Sequence, residues 1–232
     1  MGVKGITFGT RHSYNDFGMI LIEKTIGLPE PKVETVDVFG MDGVLDLTKS
    51  ISDTVRYNNR LLSFTFEVMG GQETFLKTLE DVSNYLHGEK MRVILDDDLS
   101  FYYYGRCKVN LFKTDKRTCT IQIDVDADPY KLEINSAGEK WLWNPFSFKY
   151  GVIRTNEVEV NGTIDVNLPN LKKVVSPTFI CTAPLKVTFN GKTYQLQKGE
   201  QTVYDIRLQA GNNYVTFTGV GKVAIRYEGG SL

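Results

Sequence analysis

Between residues 62 and 68 the chain alternates without a fault. Leu62, Phe64, Phe66 and Val68 point one way while Ser63, Thr65 and Glu67 point the other. A period of two predicts a strand with one buried and one wet face, stopped by Met69-Gly70-Gly71. The period then changes. Phe75, Leu76, Leu79, Val82 and Leu86 recur every three or four residues, which predicts a helix from about Gln72 to Leu86. Glu73 sits near its positive end and Gly88 at the C′ position. A helix apolar along one stripe must lie on something, and the preceding sheet is the available surface. Upstream, Lys32 to Phe39 alternates up to Gly40-Met41-Asp42-Gly43, and Val44-Leu45-Asp46-Leu47 resumes: a hairpin with a four-residue loop.

A second hairpin is expected where Tyr102 to Phe112 and Thr118 to Val125 flank the polar loop Lys113-Thr114-Asp115-Lys116-Arg117. Symmetric pairing about that loop gathers Val109, Leu111, Cys119, Ile121, Ile123 and Val125 on one face. The other face then carries Arg106, Lys108, Asn110, Thr120, Gln122, Asp124 and Asp126, with Arg106 opposite Asp124. In this register Cys107 and Cys119 stand about 13 Å apart at strand rise. A disulfide needs Cα atoms within about 7 Å, so these are expected to be buried thiols.

From residue 136 onward nothing has helical period. Leu185, Val187 and Phe189 lead to Asn190-Gly191, a type I′ hairpin signal, with Tyr194 and Leu196 beyond it. Asn161-Gly162 reads as a second such turn, and further strands are expected at Thr202 to Leu208, Tyr214 to Thr218 and Lys222 to Tyr227. Short strands with regular turn signals predict a sandwich. The fold class is therefore mainly β: an α+β N-terminal domain with one helix and a β-hairpin over residues 1–135, and a β-sandwich over 136–232. The segment Asn135 to Pro145 (NSAGEKWLWNP) reads as their connection.

Charge supports this division. Residues 1–135 carry 16 Lys and Arg against 21 Asp and Glu, net −5, while residues 136–232 carry 11 against 7, net +4. The whole chain is close to neutral, so no basic excess points to nucleic acid or an anionic membrane. Two histidines and three cysteines are too few for a zinc cluster or a disulfide scaffold, and an odd cysteine count suits a reducing compartment. The longest apolar run, Met19 to Ile22, is far too short for a membrane helix. Residues 1–6 lack the apolar core of a signal peptide, and Ile6 fails the myristoylation pattern. A soluble intracellular product is expected.

Candidate chemistry is sparse. Asp96-Asp97-Asp98 is an acidic cluster, but it lacks the spacing of a calcium loop and suits a tight turn between Val93-Ile94-Leu95 and Phe101. Asp124, Asp126 and Asp128 share a strand face, where solvation and pairing with Arg106 account for them. Neither His12 nor His87 has a nucleophile motif beside it, and no glycine-rich phosphate loop occurs. Catalysis by a carboxylate pair needs only two acids in space, so a hydrolase stays open. Tyr150, Tyr194, Tyr204, Tyr214 and Tyr227 offer stacking surfaces for a glycan on the second domain. Trp141 and Trp143, in the connection, suit a wedge between domains or between subunits. No cofactor or metal is expected.

The opening stretch is more specific. Phe8-Gly9-x-x-His12-Ser13-Tyr14-x-Asp16-Phe17-Gly18, Pro31-Lys32, Val36-Asp37-Val38-x-Gly40-Met41-Asp42-Gly43-x-Leu45-Asp46-Leu47-Thr48 and Tyr57-x-Asn59-Arg60 follow in order. With Asp128-Pro129-Tyr130-Lys131, Gly211-Asn212-Asn213, Phe217-Thr218-Gly219-x-Gly221 and the terminal Tyr227-Glu228-Gly229-Gly230-Ser231-Leu232, this resembles the distal tail proteins of long, non-contractile-tailed phages of Gram-positive hosts. The resemblance implies an N-terminal belt domain closing a homohexameric ring at the virion tail tip, and a galectin-like C-terminal sandwich projecting outward. Such a ring joins the tail tube protein to the tail-associated lysin or fibre hub, anchors receptor-binding or baseplate proteins in some phages, and passes DNA through its lumen. Galectin-type sugar contacts need a histidine-centred motif, and this second domain has no histidine. Under that reading some of Asp96, Asp97, Asp98, Asp124 and Asp126 face the lumen, where carboxylates repel phosphate. The alternative is a carbohydrate-binding accessory protein using the sandwich on wall glycans.

Overall fold

The computed structural model describes residues 4–50, 54–114, 119–134 and 157–232. The chain divides into two compact units, one formed by residues up to 97 with 103–129, the other by residues 98–102 with 130–231. The predicted connection, with Trp141 and Trp143, lies outside the described residues.

The first unit contains β1 (Ile6–Phe8), β2 (Arg11–His12), β3 (Met19–Ile26), β4 (Thr35–Val36), β5 (Leu45–Asp46), β6 (Arg60–Val68), α1 (Gly71–Leu86), β7 (Lys90–Leu95), most of β8 (Phe101–Thr114) and β9 (Cys119–Ala127). Its main sheet is antiparallel in the order β2-β1-β7-β8-β9-β6-β3. Laid flat, β1 and β6 are four spacings apart, about 19 Å at 4.8 Å each. Yet the Phe8 ring lies 6.1 Å from that of Phe64 and 6.2 Å from that of Phe66. The sheet is therefore curled, with its apolar side inward. Phe8, Leu62, Phe64, Phe66, Ile121, Ile123 and Val125 are fully buried there, each Phe or Ile contributing about 1.5–3 kcal/mol.

Helix α1 lies on β6 and β9 through Phe75, Val82 and Leu86. Leu76, expected on this stripe, is exposed because it falls beyond the strip that faces the sheet. The helix starts at Gly70 in a left-handed conformation and ends at His87, followed by Gly88 with φ +86°. The Tyr85 hydroxyl donates to the Phe8 carbonyl at 3.1 Å and ties the helix to the β1–β2 turn.

The β8–β9 hairpin differs in register from the symmetric pairing. Arg106 opposes Asp126 and Lys108 opposes Asp124; a bulge between Val109 and Leu111 then sets Leu111 opposite Gln122. Before the bulge the pairing is displaced by two residues, which preserves faces, so Cys107, Ile123 and Val125 stay buried.

The second unit contains β10 (Lys131–Glu133), β11 (Glu157–Asn167), β12 (Thr178–Cys181), β13 (Leu185–Phe189), β14 (Lys192–Leu196), β15 (Gly199–Thr202), β16 (Tyr214–Arg226) and β17 (Gly230–Ser231). β10 pairs with β17 and with Phe101 and Tyr102 at the start of β8. The larger sheet runs β14-β13-β16-β12-β15, with β11 along the other side of β16. At the tip of β13–β14, Asn190 (φ +48°) and Gly191 (φ +77°) make the expected tight turn.

Two expectations fail in this unit for one reason. Asn161-Gly162 is no turn but lies inside β11, and β16 runs unbroken through Gly219-Val220-Gly221. Phe179 opposes Ile225, eight residues along β16 from Phe217, about 26 Å on a straight strand. The Phe179 and Phe217 rings are nonetheless 5.7 Å apart. β16 must therefore bend sharply between them. Its first half pairs with β13 and its second with β12, so the sheet folds over into two facing layers. Residues 203–207, also expected as strand, lie beyond β15, and Leu208 makes only an isolated bridge to Val175.

Candidate interaction surfaces

The histidines are committed to the backbone. The His12 Nδ1 accepts from the Tyr14 and Asn15 amides at 3.2 and 3.1 Å. Its proton therefore sits on Nε2 and is donated to Asp96 Oδ2 at 3.0 Å. The His87 Nδ1 accepts from the Val109 amide at 3.2 Å, standing in for a ladder carbonyl where β7 no longer runs beside β8. Cys107, Cys119 and Cys181 are buried free thiols, and burial pushes the Cys107 thiol up to about 12. Among the described residues no group of three or more His, Cys, Asp or Glu is arranged to hold a metal ion, and no helix is long and apolar enough to cross a membrane.

The residues that carry the sequence resemblance build turns and anchors. Ser13 is fully buried; its Oγ accepts from the Ile6 amide at 3.1 Å, and its carbonyl accepts from the Met19 amide at 2.8 Å. Asp16 Oδ2 accepts from the His12 amide at 2.6 Å. Arg60, almost entirely buried, donates to the carbonyls of Gly27 at 2.8 Å and Pro129 at 3.4 Å, with its guanidinium 5.2 Å from the Tyr103 ring centre. Asn213 donates to the carbonyls of Leu168, Gln209 and Gly211 and accepts from the Gln209 amide.

The five aspartates fall into two groups. Asp96, Asp97 and Asp98 form the expected turn after β7, and each has a partner. Asp96 Oδ2 accepts from the Gly5 amide at 2.7 Å as well as from His12, Asp97 pairs with Lys24, and Asp98 lies 2.8 Å from the Lys131 ammonium. The hydrogen bond from Lys24 holds the Asp97 carboxyl below the ordinary value of 3.8. Asp124 and Asp126 stand on the polar outer face of β9. Asp124 is held by Ser63 at 2.7 Å, Asn110 at 2.8 Å and Gln122 at 3.0 Å. Asp126 is exposed opposite Arg106, whose guanidinium turns instead to the Gly88 carbonyl.

Sequence reasoning missed the most unusual surface. The β3–β6 pair continues outward as an arm. The Gly27 amide donates to the Leu61 carbonyl at 2.9 Å, Asn58 to Glu30 and Lys32 to Arg56 both at 2.8 Å, and then Thr35 opposes Asp46 and Val36 opposes Leu45. The thirteen residues from Gly27 to Phe39 reach at most about 40 Å. Along the arm Leu28 is 77% exposed and Phe39 fully exposed, and Val33, Val36, Met41 and Val44 are also open to solvent. The signal was present in Val38-Phe39 and Val44-Leu45, adjacent apolar residues at the end of a two-stranded ribbon. A lone hairpin has no core in which to bury them.

No protein-family model and no curated protein matches the sequence. Among solved structures, the Dit protein of phage SPP1 is similar over 98% of this chain and 99% of its own, with a TM-score of 0.63 and 14% identity. This chain has the fold of a phage hub protein. Dit is described as a paradigm of the hub adsorption apparatus in phages that infect Gram-positive hosts. At 14% identity the likeness is one of fold alone, and that fold is mainly β, as expected from the residues.

Proposed function

We propose that this chain is a structural component of a phage tail tip, a hub whose work is assembly and not turnover. The observation that carries this reading is the correspondence in fold with Dit along essentially the whole of both chains. The exposed apolar arm supports it. An arm that exposes apolar side chains along its length and reaches up to about 40 Å from its root gains by covering a neighbouring copy. Identical head-to-tail contacts of that kind close a ring when each subunit turns by one sixth, giving a homohexamer. The ring then joins the tail tube protein to the tail-associated lysin or fibre hub and to receptor-binding proteins, with DNA passing through its lumen.

In that ring the outer face of β9 is the proposed lumen wall. Asp126, exposed, supplies charge that repels phosphate, and Asp124 supports it from a hydrogen-bonded position. Asp97 and Asp98 contribute less charge because Lys24 and Lys131 engage them, and Asp96 is tied down by the Gly5 amide and His12.

Light scattering of the full chain over a concentration series tests the proposal. The mass of six chains is expected at high concentration, falling to that of one chain in Phe39→Ser with Met41→Ser. A wild-type protein that stays monomeric at every concentration and is missing from the tail tip of labelled virions ends it.

A further inference from the structure

The two outer faces of the folded-over sheet differ in chemistry. On the β12–β15 side the outward positions include Glu157, Glu159, Glu200, Lys222 and Arg226. On the β13–β14 side they form two cross-strand rows. Asp165, Thr216, Thr188 and Thr193 make the first, and Thr163, Thr218, Lys186 and Gln195 the second. Tyr214, 66% exposed, stands on β16 at the end of this grid, opposite Asn167.

We propose that this grid is a binding face for an uncharged glycan. Its hydroxyls are pre-set by one another. The Thr216 hydroxyl donates to Asp165 at 2.6 Å, those of Thr188 and Thr193 are 2.9 Å apart, and those of Thr163 and Thr218 are 3.5 Å apart. In each threonine pair one hydroxyl donates inward and the other keeps its proton for a ligand, at positions whose rotor freedom is already spent. Strands about 4.8 Å apart place successive hydroxyl groups at roughly the length of one pyranose ring. A sugar chain crossing four strands would therefore lay about three rings along a row.

Charge and shape select the occupant. Asp165 and Lys186 cancel within the grid, so its electrostatic complement is neutral, unlike the phosphate chain of a teichoic acid. Apart from Tyr214 the rows hold no aromatic or aliphatic side chain of the kind that forms the core of a protein interface. The Tyr214 ring at one end of the grid is suited to the C–H face of a sugar, and Val220, 72% exposed, is the next outward position of β16 at the other end. This inference does not depend on ring formation.

The test is binding of the full chain to an array of uncharged oligosaccharides, with purified glycerol-phosphate teichoic acid as a separate arm. Retention on at least one uncharged oligosaccharide is expected. It should fall at least tenfold in Thr188→Val, Thr216→Val and Tyr214→Ala and persist in Glu200→Gln on the opposite face. The threonine-to-valine changes keep volume, and thermal melts confirm that each variant is folded. Binding to no uncharged oligosaccharide, binding to teichoic acid alone, or retention unchanged by all three substitutions overturns the proposal. Because light scattering reads assembly separately, failure here leaves the ring reading standing.

Discussion

Gly162 on β11 lies directly opposite Gly219 on β16 at the corner where the sheet folds over, and only the side-chain position of Gly219 presses on the interior. Their φ angles are +92° and +140°, a region other residues enter only under strain. A Cβ on Gly219 would come within 2.7 Å of a Leu185 methyl, whereas one on Gly162 would meet nothing within 4 Å. Gly221, also inward, would press on Ala183. On β16 the corner leaves no room for a side chain at either of these two inward positions.

This asymmetry makes a prediction. Gly219→Ala suffers both backbone strain and overpacking and should lower stability by about 3 kcal/mol. Gly162→Ala suffers strain alone and should lose about 1 kcal/mol. Urea unfolding of the two variants measures the gap; equal losses would mean that the corner is not packed as described.

The arm should separate folding from assembly. Phe39 touches nothing that its loss would expose, so Phe39→Ser should change unfolding free energy by no more than about 0.5 kcal/mol. The same substitution should shift the assembly equilibrium strongly toward monomer. Denaturant titration and light scattering on one preparation read the two effects independently.

Asp97 predicts a small pH dependence. Lys24 lowers its carboxyl in the folded chain relative to the ordinary value of 3.8, so in that range the unfolded chain binds the proton more readily. The contribution is therefore complete above that value and lost as pH falls through the folded one. The pair is about a third exposed, which limits it to at most about 1 kcal/mol after screening. Asp97→Asn should be slightly less stable than wild type at neutral pH, and the two unfolding curves should converge in acid.

The thiols should be silent until the chain unfolds. Cys107 is fully buried, with its ionisation pushed up to about 12, and Cys119 and Cys181 are buried as well. A thiol reagent at mildly alkaline pH should label none of the three in the folded protein and all three in denaturant. Rapid labelling of Cys107 under native conditions would contradict the packing beneath β8.

By itself the sequence determined what depends on neighbours a few residues away. The alternation of Leu62 to Val68, the stripe of Phe75, Val82 and Leu86, and the Asn190-Gly191 turn are local facts, because side-chain direction follows backbone period and a tight turn follows φ. The motifs around His12 and Asn213 were visible too, though only the folded chain shows them as hydrogen-bonding anchors.

Tertiary structure decided what depends on partners far along the chain. The bulge after Val109 set the pairing of Arg106 with Asp126, since cross-strand register is a competition among near-equal alignments. Gly219 and Gly221 serve equally for a turn or for a bend inside a strand, and only the Leu185 and Ala183 side chains packed against them select the bend. Likewise, an apolar hairpin spells the same residues whether it is buried or held out in solvent. What made Val36 and Phe39 a surface was the length of the arm, which leaves both outside the core of their own unit.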